Sequence, residues 1–138
     1  MRAAVAGAGA LALVRAAGVE AAAYVAPRAA VGRDWALLAL TRDAADALTE
    51  APKARCLLLP GDSRPLLARR AAQVIGYGFS PRDTLTLSGA RLLCLQRGVV
   101  TLSGTLVEPQ ELPLDAALAA LPDEQAMLAA LLRLLCDC

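Results

Sequence analysis

Arg55-Cys56-Leu57-Leu58-Leu59-Pro60-Gly61-Asp62-Ser63-Arg64-Pro65, followed by Gln73-Val74-Ile75-Gly76-Tyr77, is the stretch whose reading decides the fold. Arg55–Leu59 is a short, continuously apolar run, as expected of a strand buried on both faces. Pro60–Ser63 is a loop that ends in capping residues. Pro65 is placed in the first turn of a helix to Arg70, where its missing N–H is no loss. Gln73–Tyr77 reads as the next strand. Strand, short loop, helix and strand make a unit with parallel strands and a right-handed crossover.

The unit repeats upstream. Trp35–Leu40 (WALLAL) is a second continuous apolar run, and Thr41 or Asp43 can cap a helix to Thr49. Val19–Val25 is a strand ended by Pro27. Arg2–Ala6 is the first strand, Gly7-Ala8-Gly9 turns it, and Ala10–Ala17 is a helix stopped by Gly18. Downstream of Ser80-Pro81 the pattern changes. Thr84–Ser88, Arg91–Gln96, Val99–Leu102 and Thr105–Glu108 are short strands between tight turns. Thr-Leu-Ser-Gly recurs at 86–89 and 101–104, as two similar hairpin turns. Residues 108–114 form an extended crossing, Asp115 caps a short helix to Leu121, and Asp123 begins a last helix. Met127, Leu128, Leu131, Leu132 and Leu135 lie on it at helical spacing.

The expected fold is α/β: a single Rossmann-like three-layer domain. Strand–helix units on a mainly parallel sheet (1–80) lead into an antiparallel β-meander (81–114) and C-terminal helices (115–138). The length, 138 residues, suits one domain with its own core. Aromatics are 3% of the chain, so small aliphatic side chains must fill that core.

Composition excludes several chemistries. Histidine is absent, which removes Ser-His-Asp and Cys-His catalysis and imidazole metal ligation. Lys53 is the one lysine, and no phosphate-loop pattern surrounds it. The net charge of +1 gives no field for nucleic acid or an anionic membrane. Residues 3–14 can be mistaken for a leader, but the two glycines and short apolar run read better as strand, turn and helix, which points to the cytoplasm. Cys56 and Cys94 read as structural thiols within strands. Cys136-Asp137-Cys138 can oxidise or take a soft metal, although no second ligand pair stands at zinc spacing, so neither metal nor cofactor is expected.

Three candidate sites stand out. Gly7, Gly9 and Ala12 match the GxGxxA dinucleotide turn. Gly7 allows the turn, Gly9 lets backbone approach a pyrophosphate, and Ala12 permits close helix packing. The acidic ribose partner is missing; Ala26-Pro27-Arg28 stands in its place, so an ordinary structural turn competes with a nucleotide or other small-anion site. Asp62 and Ser63, with Arg64, lie where a parallel sheet presents its ligand edge, and ordinary helix capping competes. Tyr77-Gly78-Phe79-Ser80, Leu95-Gln96-Arg97-Gly98 and Glu108-Pro109-Gln110-Glu111 hold most of the distinctive polar residues. Glu108 and Glu111 point in opposite directions along an extended segment, which disfavours an acid/base pair.

Cys56-Leu57-Leu58-Leu59-Pro60-Gly61-Asp62, Gln73 through Ser80 and Asp83-Thr84-Leu85-Thr86 together resemble the end of the central domain of Mur-type peptide ligases. Gln73 through Leu114 also resembles a family of small uncharacterised Firmicutes proteins. The Mur-type resemblance implies a Rossmann-like fold. It carries over no catalytic residue, because the Gly-Lys-(Thr/Ser) loop and the His-Asn element are missing. Three functions follow as expectations: a non-catalytic domain with a binding or assembly role, a nucleotide or NAD(P) binder using the Gly7/Gly9 turn, or a self-associating protein, such as a homodimer, using the C-terminal helix or an open sheet edge.

Overall fold

The computed structural model describes residues 2–136. Its elements run β1 (Ala3–Ala6), α1 (Ala10–Ala17), β2 (Ala22–Tyr24), β3 (Asp34–Leu40), α2 (Arg42–Ala47), β4 (Lys53–Pro60), β5 (Ala71–Gly78), β6 (Leu85–Leu87), β7 (Leu93–Leu95), β8 (Val99–Val100), β9 (Leu106–Val107), β10 (Gln110–Leu112), α3 (Ala116–Ala119) and α4 (Asp123–Leu135). One eight-stranded sheet has the order β10-β7-β6-β5-β4-β3-β1-β2, and β8 and β9 form a separate pair. From β2 through β6 the neighbouring strands are parallel. β7 runs antiparallel to both β6 and β10. The α/β class with a mainly parallel sheet and C-terminal helices is therefore the architecture of the chain.

Period-two alternation assigns the core to the two faces of this sheet. Val5, Leu37, Leu58, Ile75, Leu85 and Leu93 face α1 and α4. Ala4, Leu38, Leu40, Leu57 and Leu59 face the other way, against Ala44, Ala45 and Leu48 of the α2 region and Leu67. Residues 126–132 of α4 are buried all round, because that helix lies between the sheet, α1 and α3. On the second face, the cover thins beyond β5. There Thr86, Cys94 and Glu111 sit side by side across β6, β7 and β10.

Several expectations change. No α-helix joins β4 to β5, only a 3₁₀ turn at Pro65–Ala68. The strands pair from Ala54↔Ala71 to Pro60↔Tyr77, a return of about 20 Å. A helix over residues 61–70 would span only about 15 Å, so the segment stays extended and β5 begins early, at Ala71. β6 pairs antiparallel with β7, as a meander requires, but it also joins β5 in parallel and so continues the main sheet. Its overlap is limited to Tyr77↔Leu85 and Gly78↔Thr86, so it runs on past the end of β5 and needs no long crossover. The crossing at 108–114 contains a strand of the main sheet, β10. β2 is shorter than Val19–Val25, since it is an edge strand that pairs only with Ala4–Ala6. Of the C-terminal Cys-Asp-Cys group, Asp137 and Cys138 lie outside the described residues.

Candidate functional site

The strand order reverses between β1 and β3. In parallel α/β sheets the crevice at such a point, beyond the carboxyl ends of the strands, is where ligands bind. Gly7 closes β1 there with φ 127°, and its N–H donates to the Tyr24 carbonyl at 2.8 Å. A Cβ on Gly7 would lie 1.7 Å from Thr41 Oγ1, so glycine is required by contact as well as by conformation. Gly9 precedes α1 with φ 77°. A Cβ there would meet the Gln125 amide at 3.2 Å.

The turn is occupied from within the chain. Asp43, in the first turn of α2, accepts the Ala8 N–H at 3.0 and 3.3 Å on its two carboxylate oxygens. Thr41 Oγ1 donates to the same carboxylate at 2.5 Å. A side-chain anion thus fills the place that the glycine pattern offers to a pyrophosphate. Ala12 is exposed on α1, while Ala10, Leu13, Val14 and Ala17 make the packing contacts, so close helix packing does not depend on position 12. Arg28 is exposed in the 3₁₀ turn after β2.

Asp62 and Ser63 separate in role. Asp62 pairs with Arg42 at 2.6 Å, and the same guanidinium reaches Glu124 of α4 at 2.6 Å. These acceptors, Glu124 foremost, push the Arg42 pKa up against the opposing effect of burial, so Arg42 stays charged. Ser63 Oγ is buried without a hydrogen-bond partner among the described residues, and the 3₁₀ turn is capped by the Arg64 position with no side-chain bond. Arg64 donates to the carbonyls of Ala45, at 3.1 Å, and Leu48, which satisfies the end of α2. It is not turned toward the sheet edge as an anion partner.

Beside the filled crevice lies an open cleft. Cavities of about 370 and 450 Å³ share Arg42, Tyr77, Phe79 and Glu124. Phe79 is 60% exposed there, at the end of β5. Tyr77 is buried and donates its hydroxyl to the Leu40 carbonyl at 2.7 Å. Burial, with Glu124 close by, pushes its pKa far above the usual tyrosine value. The loop after Phe79 folds back over three glycines. Asp83, 6% exposed, lies where a Cβ on Gly61 or Gly78 would fall 1.5 or 2.4 Å from its carboxylate oxygens. Gln96 fixes this loop by donating to the Asp83 carbonyl at 2.7 Å, and Arg97 donates to the Arg82 carbonyl at 2.5 Å.

The structure therefore gathers Asp62, Tyr77, Phe79 and Ser80 at one edge and ties Gln96 and Arg97 to it. It leaves Glu108 and Glu111 exposed on and beside β10. Arg42, Asp43, Asp83, Glu124 and Gln125 were not legible as site residues. Asp43 and Glu124 look like ordinary first-turn acids of two helices, and no spacing rule brings them together. The fold and edge define an α/β domain with a ligand-sized cleft beyond its parallel strands. No protein-family model, curated protein or solved structure matches the chain.

Proposed function

We propose that this chain is a non-catalytic Rossmann-like binding domain, related at fold level to the central domain of Mur-type ligases. Its ligand sits in the cleft at Phe79 and leaves the glycine turn untouched. The observation that carries this is the exposed Phe79 ring between two contiguous cavities, on a floor built by the segment that bears the resemblance. Binding rather than chemistry is supported by the state of the reactive groups. The Tyr77 hydroxyl is committed to Leu40, and burial pushes the Cys56 thiol up to about 11. Neither group is poised for proton transfer or attack near neutral pH.

Thermal shift with NAD, NADP, ATP, UDP-sugars and a fragment set of anionic, neutral and cationic compounds tests the reading. A ligand at a hundred times its Kd adds about 2.7 kcal/mol of stability. The expected result is at least one fragment whose shift disappears in Phe79→Ala. A dinucleotide shift that survives Phe79→Ala would move the site to the glycine turn. A panel with no shift at all would remove the ligand.

A further inference from the structure

We propose that the cleft takes a small organic cation, a protonated primary amine on a flat carbon skeleton, held between the Asp83 carboxylate and the Phe79 ring. This rests on the cleft being the binding site and names the class of ligand. Asp83 is nine-tenths buried and lines the cavity of about 450 Å³. Its Oδ2 accepts the Ser80 N–H at 3.0 Å, and among the described residues no donor reaches Oδ1. Oδ1 is not a fully buried atom, so its lone pairs are open to a donor brought by a ligand.

Charge selects among donors. The cavity lining sets Asp62, Asp83 and Glu124 against Arg42 and Arg82. Asp62 and Glu124 are both engaged by Arg42, which leaves Asp83 as the carboxylate of this lining without a cationic partner among the described residues. An anionic ligand would meet Asp83 and Glu124 at close range. A hard divalent ion needs six or more oxygen ligands, and one free carboxylate oxygen falls far short of that. An ammonium group needs a single strong acceptor, and the adjacent aromatic face favours a cation and a flat skeleton together. The glycine cradle holds the carboxylate in place, since Gly61 and Gly78 leave no room beside it.

The test is isothermal titration and thermal shift with phenethylamine, against its neutral counterpart 2-phenylethanol, at pH 7. For the wild-type chain the amine is expected to bind and the alcohol to bind at least tenfold more weakly. Asp83→Asn should abolish that preference, and Phe79→Ala should weaken the amine about tenfold. Phe79 is exposed, so its variant tests the site even where Asp83→Asn fails to fold. Equal binding of amine and alcohol, or amine binding unchanged in Phe79→Ala, overturns the proposal. If the fragment set finds a ligand that needs Phe79 and the amine does not bind, the cleft stands as the site and the amine class falls. If nothing binds, both fall.

Discussion

The Asp43 carboxylate reaches across the sheet edge to the Ala8 N–H at 3.0 Å and supplies the negative charge that a glycine turn ordinarily takes from a ligand. Two loops, one after β1 and one after β3, are closed onto each other by this contact. Asp43→Ala should lower stability by about 1–2 kcal/mol, the range for a charge-assisted hydrogen bond. Urea unfolding of the two proteins measures it. Inorganic pyrophosphate should leave the melting temperature of the wild-type chain unchanged; a rise would show that Asp43 does not hold the turn.

Gly7 and Gly18 both have positive φ but differ in their surroundings. A Cβ on Gly7 collides with Thr41 Oγ1, whereas nothing lies within 4 Å of one on Gly18. Gly18→Ala should cost about 1–2 kcal/mol, the backbone penalty alone. Gly7→Ala should cost about 3 kcal/mol or more, because overpacking adds to it. Similar losses in denaturant titrations would mean that the Thr41 contact is relieved at no cost.

Arg133 of α4 serves three partners. It donates to the carbonyls of Ala17 at 3.0 Å and Ala16 at 2.7 Å, and pairs with Asp115 at 2.7 Å. Asp115 in turn caps α3 through the Leu118 N–H, and these bonds hold its carboxyl below the usual aspartate range. Arg133→Met should cost about 2 kcal/mol, and Arg133→Lys should recover little of it, since an ammonium cannot fork to several acceptors. Full recovery by lysine would reduce the interaction to its charge.

Alkaline pH acts on two buried groups. The Cys56 thiol is pushed from 9.0 up to about 11 by burial, and the Tyr77 phenol is raised above 10.0 for the same reason. The folded chain keeps these protons longer than the unfolded one. The stability they contribute is complete below about pH 9 and is lost as pH rises from there through 11. Urea midpoints at pH 8 to 11 should fall, and the fall should be shallower in the Cys56→Ala, Tyr77→Phe double variant. Identical slopes would place the alkaline transition elsewhere.

The apolar runs 35–40 and 55–59 announce the central strands, because a strand covered on both faces cannot alternate. The glycine turn announces the first strand-to-helix change for a conformational reason. What stays hidden depends on distance along the chain. Arg64 looks like a free cation but ends α2, and Glu124 looks solvated but meets Arg42 from far away in sequence. The missing helix between β4 and β5 is a matter of reach, set by how far the two strands pair. Asp83 opens a segment that carries the family resemblance, but nothing in that segment marks it as a site residue; its place comes from three glycines that converge only after folding.

Helix α4 is the last element made, yet it covers β4, β5 and β6 and packs on α1, the first helix. During synthesis, β4, β5 and β6 therefore lack their helical cover on that face until residues 123–135 have left the ribosome. Until then the nascent chain carries an open apolar face, the state in which strands find wrong partners. A chain interrupted before α4 would leave that face of β4, β5 and β6 uncovered, and such products are the forms most exposed to chaperones and proteases.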